Sequence, residues 1–170
     1  MAKTIIAKGK FLQLAQEGTW EYAERINASG VVAIVAITVE REIVLTEQHR
    51  IPVGARVIDL PAGLAGDTAG EESEALVQAA QRELLEETGY SSKVWRAIYR
   101  APSSPGLTSE VVDYFLANNA RQTAAGGGVE GEGITVHTIP LRTIRRWLRG
   151  EMAKGLMVDP KVYVALAHLR

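Results

Sequence analysis

The stretch Arg82-Glu83-Leu84-Leu85-Glu86-Glu87-Thr88-Gly89-Tyr90 sets three carboxylates at i, i+3 and i+4. At helical pitch Glu83, Glu86 and Glu87 leave one side of a helix, close enough for each like-charged pair to cost roughly a few tenths of a kcal/mol. Two readings account for such crowding. One is a solvated charged face. The other is a set of hard oxygen ligands for a divalent cation such as Mg²⁺, which binds through a few carboxylates plus substrate phosphates. The flanks favour the second. Upstream, Val57-Ile58-Asp59-Leu60 reads as a strand running into Pro61-Ala62-Gly63 and then a loop rich in Gly and Glu. Downstream, Gly89 sits where a helix C-cap wants φ > 0. Strand, glycine loop, carboxylate helix and glycine stop form one unit.

With these residues in place, the unit resembles the signature of the Nudix hydrolases, Gly-x5-Glu-x7-Arg-Glu-U-x-Glu-Glu-x-Gly-U, where U is bulky and apolar. The second half matches at every defined position, with Tyr90 as an aromatic U, and Glu74 precedes Arg82 with the required seven intervening residues. The first half departs from the pattern. Thr68 stands where the first Gly belongs, and Pro61-Ala62-Gly63 lies five residues further upstream. Residues 64–73 therefore read as a short loop insertion, which loop-closure entropy makes inexpensive. Glu71 and Glu72 compete with Glu74 for the first Glu position.

Length and composition bound the remainder. A chain of 170 residues suggests a single domain over 1–170 with a sizeable core. Hydrophobic content of 46% and charged content of 23% are ordinary for a globular protein, and a net charge of −1 offers no attraction to nucleic acid or membrane surfaces. Without cysteine, disulfides, thiol catalysis and Cys-bound zinc are excluded. His49, His137 and His168 show no metal-ligand spacing. The N-terminal Met1-Ala2-Lys3-Thr4-Ile5 lacks a signal-peptide layout, so a cytoplasmic location is the expectation.

Along the chain, residues 4–14 alternate as one amphipathic strand would, and residues 19–25 read as extended, with Trp20 and Tyr22 sharing a face. After a turn at Ala28-Ser29-Gly30, residues 31–37 look like a buried strand, followed beyond a charged turn at Glu40-Arg41 by a strand over 42–48. Residues 74–88 read as the helix of the unit, with Ala75, Ala79, Leu84 and Leu85 on its buried side. Strands are expected over 94–99, 111–117 and 134–139. A short basic helix is expected over 141–148, and Gly126-Gly127-Gly128 reads as a flexible loop. Asp159 before Pro160 is a good N-cap and first-turn pair for a last helix over 161–169. The expected fold is α/β, an α/β/α sandwich with a mixed sheet and an N-terminal antiparallel strand region, which is also the Nudix fold the resemblance implies.

Four segments outside the signature resemble the branch that hydrolyses ADP-ribose and other nucleoside diphosphate sugars. They are Ser104-Pro105-Gly106 with Glu110, Glu47-Gln48-His49-Arg50-Ile51-Pro52, Trp20-Glu21 with Arg25, and Glu130-Gly131-Glu132-Gly133-Ile134. The resemblance implies Mg²⁺-dependent cleavage of the pyrophosphate bond, with two or three ions and Mn²⁺ as an alternative. It places metal on the Ala62 carbonyl, Glu83 and Glu87, with Glu132 as an extra ligand. Glu130 is the first choice for general base and Glu132 the second, while Glu86 supports the metal shell or binds a second ion and Arg82 holds the helix geometry by pairing with Glu74 or a neighbour. Arg50 is expected to clamp the diphosphate, and Trp20, Glu21, Arg25, Pro105 and Glu110 to meet the substrate, Trp20 by stacking on adenine. Each has a plainer alternative: Trp20 as core or interface, Arg50 as a surface cation, Pro105 as a turn residue, Glu130 and Glu132 as solvated loop charges. The resemblance further implies a homodimer whose N-terminal strands, residues 1–28, help build the partner's site. Competing functions are hydrolysis of GDP-mannose, dinucleoside polyphosphates or oxidised nucleotides, and a Nudix-fold sensor that binds without cleaving.

Overall fold

The computed structural model describes residues 2–66, 74–128 and 133–169. Its centre follows from residues 31–37, an unbroken apolar run that has no face to offer water. These residues lie in β4 (Gly30–Thr38), buried from Val32 onward. Strand alternation sends Val32, Ile34 and Ala36 into one cluster with Ala79, Ala80 and Leu84 of α1 (Leu76–Thr88). It sends Ala33, Val35 and Ile37 into another, with Ile144 and Leu148 of α2 (Ile144–Ala153) and Val162, Ala165 and Leu166 of α3 (Pro160–His168). Full burial of each Val, Leu or Ile contributes roughly 1.5–3 kcal/mol, so the two clusters clamp the sheet from both sides. The result is the α/β/α sandwich expected from the sequence.

The sheet is mixed, and it forks. β10 (Val111–Gln122) runs parallel beside β4 and carries antiparallel β9 (Val94–Pro102) and β8 (Tyr90–Ser91). On its other edge β4 takes two neighbours in turn. β7 (Ala62–Ala65) pairs with residues 30–33, whereas β5 (Glu42–Arg50) pairs only with Ala36 and Ile37. β5 then diverges to pair with β11 (Thr135–Pro140) and β6 (Ala55–Asp59), and β6 carries the parallel β12 (Met157–Val158). The chain crosses the fork between β6 and β7 at Pro61, whose carbonyl accepts the Ile34 N–H at 2.8 Å.

Several boundaries differ from the sequence expectation. Residues 4–14 are not one strand: the chain turns where the Gly9 N–H meets the Leu12 carbonyl at 2.8 Å, giving β1 (Thr4–Lys8) and β2 (Leu12–Glu17). With β3 (Trp20–Arg25) these form a separate antiparallel sheet. It docks on residues 103–110 through Ala23, whose N–H donates to Leu107 O at 2.8 Å and whose carbonyl accepts from Ser109 at 3.1 Å. α1 begins at Leu76 rather than 74. Its buried side is Ala79, Ala80, Leu84 and Thr88, while Ala75 and Leu85 are exposed. α2 starts three residues later than expected, at Ile144. Gly126-Gly127-Gly128 is not simply a flexible connector. Gly127 and Gly128 donate to the carbonyls of Glu87 and Glu86 at 2.8 and 3.0 Å, satisfying the open end of α1. Gly89 takes φ 74 as the C-cap, as its position required.

Candidate active site

Arg82 organises the exposed face of α1. Its guanidinium reaches Glu74 at 3.2 and 3.3 Å, Glu83 at 2.8 Å, Glu86 at 3.2 Å and the Leu64 carbonyl at 2.9 Å. One planar cation thus offsets the repulsion between carboxylates one turn apart and ties the helix to β7. The Arg82 hydrogen bonds hold the Glu74 carboxyl below its ordinary pKa. Glu74 also accepts the Gly66 N–H at 3.4 Å, so it closes the loop insertion onto the helix. Its competitors Glu71 and Glu72 lie outside the described residues.

Glu83 and Glu87 lean toward Pro61-Ala62-Gly63. Glu87 Oε2 accepts the Ala62 N–H at 3.0 Å. Glu83 lies so close over Gly63 that a Cβ there would stand 2.0 Å from its carboxylate carbon, so glycine is what lets Glu83 keep this position. Ala62 pairs with Ala33 at a position where the flanking residues carry the ladder bonds, which turns its own N–H and C=O away from β4.

A cleft of about 700 Å³ occupies the fork. Ala62, Gly63, Glu83 and Glu87 line one wall; Val31, Leu64 and Val112 continue it. The other branch supplies a floor across three strands. Gln48 on β5, Val57 on β6 and Met157 on β12 are in register, and one step along β6 lies Asp59, with Asp159 beyond the end of β12. Asp59 is 5% exposed. It accepts the Leu60 N–H at 2.7 Å and meets Lys161 Nζ at 3.0 Å, while the same ammonium meets Asp159 at 2.8 Å. Burial pushes the Asp59 carboxyl up to about 6; the Lys161 ammonium pulls against this rise, while the neighbouring Asp159 charge adds to it. Burial works against the Lys161 charge too, but two carboxylates outweigh it and raise its pKa.

The structure gathers Ala62, Glu83, Glu87, Arg50, Arg25 and Glu110 around this cleft. Arg25 is bonded to Glu110 at 2.6 Å, joining the N-terminal sheet to the cleft of its own chain. Alternation on β5 sends Gln48 and Arg50 to the cleft, while Glu47 turns to His137 at 2.8 Å and to Arg56. Trp20 and Pro105 are not in this cleft. They share a second one of about 440 Å³ with Tyr22, Thr108 and Ser109, and Trp20 is 61% exposed, which rules out the core. Glu21 is exposed and lines neither; Glu86 and Arg82 stand behind the carboxylate wall rather than on it. Glu130 and Glu132 lie outside the described residues. Sequence reading missed Asp59, Lys161 and Asp159 as cleft residues. The available signal was Asp59 itself, a carboxylate inside an apolar strand.

The donors fit a hard divalent cation. Glu83, Glu87 and the Ala62 carbonyl all offer oxygen atoms, and no group of three or more His, Asp or Glu forms a ready metal cage among the described residues. Mg²⁺ suits such an incomplete set, since it is held by one or two carboxylates and completes its shell with water and substrate phosphate.

Residues 28–156 match the NUDIX domain, and the chain belongs to that family. It is 37% identical over 123 residues to an ADP-ribose pyrophosphatase of Bacillus subtilis (strain 168), covering 69% of this chain and 64% of that protein. To an ADP-ribose pyrophosphatase of Mycobacterium tuberculosis it is 33% identical over 137 residues, covering 79% and 64%. To a GDP-mannose pyrophosphatase of Salmonella arizonae it is 28% identical over 150 residues, covering 83% and 75%. The match thus spans just under two thirds of the two ADP-ribose pyrophosphatases' own length. The crystal structure of an ADP compounds hydrolase superposes with a TM-score of 0.65 at 18% identity, over 89% of this chain and 94% of that one, which shows a shared fold.

Proposed function

We propose that the chain is a divalent-cation-dependent pyrophosphohydrolase of ADP-ribose or a related nucleoside diphosphate sugar, releasing a nucleoside monophosphate and a sugar phosphate. The observation that carries this reading is the convergence of Glu83 and Glu87 on the Ala62–Gly63 backbone in one cleft with Arg50. The names of the relatives support the substrate class. Arg50 meets diphosphate oxygens with its planar fork of donors. Glu83, Glu87 and the Ala62 carbonyl hold Mg²⁺, for which Mn²⁺ can substitute; bound there, the ions neutralise phosphoryl charge and lower the pKa of water. In the reaction a water oxygen adds to one phosphorus and the bond from that phosphorus to the bridging oxygen breaks. The water's proton passes to a carboxylate base, a role the resemblance gives to Glu130 first and Glu132 second. Glu86 serves as Arg82's outer partner, so that removing it loosens the helix-to-strand tie. Trp20 offers an exposed ring for a purine.

A homodimer belongs to the same reading, supported by the apolar residues that β1, β2 and their turn leave exposed, Ile6, Phe11 and Leu12, and the cytoplasm is its proposed location.

The test is mononucleotide release from ADP-ribose, ADP-glucose, GDP-mannose, diadenosine polyphosphates and dGTP, with and without Mg²⁺. Metal-dependent cleavage of the diphosphate sugars above the rest is expected. Binding without cleavage of any compound would replace the enzyme with a sensor.

A further inference from the structure

The cleft contains a charged cluster that pyrophosphate hydrolysis as derived above leaves without a role. Asp59, Lys161 and Asp159 line the same cavity as Glu83 and Glu87, yet they come from β6 and the start of α3. A buried ion pair is weak evidence for stability, because well-packed apolar side chains often do as well. The floor beside it already carries apolar side chains, Val57 and Met157, and the facing wall carries Val31 and Leu64. A charged cluster on such a floor calls for a ligand.

Its position separates it from the Arg50 end of the cleft. Along β6 the floor passes Ala55, paired with Arg50, then Val57, paired with Gln48, then Asp59, paired with Thr46, and three residues on reaches Ala62. A strand advances about 3.3 Å per residue, so Asp59 stands roughly 13 Å along β6 from the residue paired with Arg50.

The chemistry of the cluster says what it binds there. Two carboxylates against one ammonium leave a net charge of about −1 with both acids ionised, which repels phosphate. The Lys161 ammonium has three donors, and Asp59 and Asp159 take two, at 3.0 and 2.8 Å. Each carboxylate offers about four lone-pair directions. On Asp59 the Leu60 N–H and Lys161 Nζ fill two; on Asp159 the Lys161 N–H, at 2.9 Å, and Nζ fill two. One donor and several acceptors side by side suit hydroxyl groups, which both donate and accept. Phosphate oxygens only accept.

We propose that Lys161, held between Asp59 and Asp159, is a specificity-determining residue, and that this trio binds the hydroxyl groups of the sugar half of the substrate. The proposal rests on the reading of the cleft as a diphosphate-sugar site. It makes the sugar, and not only the nucleotide, a recognised group. It also separates the cleft's duties: Arg50 and the α1 carboxylates deal with the diphosphate, and the β6–α3 cluster deals with the polyol.

The experiment compares ADP-ribose with a propyl ester of ADP, which keeps the diphosphate but carries no polyol, on the full chain. Turnover with Mg²⁺ and binding by calorimetry without metal are both measured. One variant is the double substitution Asp59→Asn/Lys161→Met, which avoids stranding a single buried charge. The other is Asp159→Ser, which retains an oxygen to cap α3 and stays informative if the double variant fails to fold. Wild type should prefer ADP-ribose over the propyl ester at least about tenfold, and each variant should lose most of that ratio. Equal losses for both compounds would make the cluster a structural clamp and overturn the proposal, as would a wild type without sugar preference. If wild type cleaves neither compound the hydrolase reading fails, and the binding ratio alone then decides the subsite: its loss in the variants upholds the proposal, its persistence overturns it.

Discussion

The two sides of the cleft carry their charges in opposite ways. On the α1 side, Glu74, Glu83 and Glu86 surround one guanidinium, and the helix supplies Arg82, Glu83 and Glu86 within little more than a turn. On the β6 side, one ammonium sits between two carboxylates, and Lys161 is brought to Asp59 from the far end of the chain by β12 and α3. The Arg82, Glu83 and Glu86 part of the first arrangement is local, so it exists as soon as the helix does, and only Glu74 joins it from outside α1. The second exists only after β12 has paired with β6. The first is also wetter: the Glu86 side chain is 43% exposed, whereas that of Asp59 is 7% exposed. The difference teaches that crowded charges on a helix can be offset cheaply by a neighbour in sequence, whereas a buried charge on a sheet depends on the whole fold.

The sharpest way to break the comparison is Glu87→Gln. The amide keeps an oxygen to accept the Ala62 N–H, so the fold should persist, with an unchanged circular dichroism spectrum. Loss of an anionic ligand should remove several kcal/mol of transition-state stabilisation, on the order of 10³-fold in turnover. Full activity in this variant would remove the α1 wall from the chemistry. A smaller effect is expected from Gly63→Ala, where the new methyl group would sit on the Glu83 carboxylate. Glu83 must swing away, so the concentration of Mg²⁺ needed for half activation should rise about 10- to 100-fold, as for other residues that orient a ligand. An unchanged requirement would mean that Glu83 does not need the β7 backbone to aim it.

Asp59→Asn probes the other side, through pH. In the folded chain the Asp59 carboxyl titrates at about 6, above its ordinary 3.8. The folded state therefore binds this proton more tightly than the unfolded state. The group's favourable contribution is complete below about pH 4 and is lost as pH rises through about 6, by at most about 3 kcal/mol. Asn does not titrate. The difference in urea-unfolding free energy between variant and wild type should move in the variant's favour between pH 4 and pH 7. A difference that stays flat would mean that Lys161 offsets the burial of Asp59 completely.

Legibility in the sequence tracks the same division. The buried strand at 31–37, the α1 face, the Gly89 cap and the Asp159-Pro160 start of α3 all lie in short windows, and each has a backbone or periodicity reason that acts locally. Arg82's choice of Glu74 could be narrowed but not closed, because Glu71, Glu72 and Glu74 stand close together in sequence; in the structure Glu74 meets Arg82 and accepts the Gly66 N–H. The division of residues 4–14 into two strands was hidden because alternation continues across the turn at Gly9. The capping role of Gly127 and Gly128 was hidden because glycine runs look alike whether they bond to a helix end or to water.

By itself the sequence determined the sheet-and-helix alphabet, the family and the carboxylate face of α1, since side-chain periodicity and steric limits on φ and ψ act within a few residues. Only the tertiary structure decided that Arg50, Arg25 and Glu110 share a cleft with Glu83 and Glu87, that Trp20 and Pro105 occupy a second one, and that Asp59 meets Lys161. Those encounters depend on where β4 exchanges β7 for β5 along its edge. That exchange is set by the packing of two helical layers against opposite faces of one strand, a long-range balance that no short window of sequence contains.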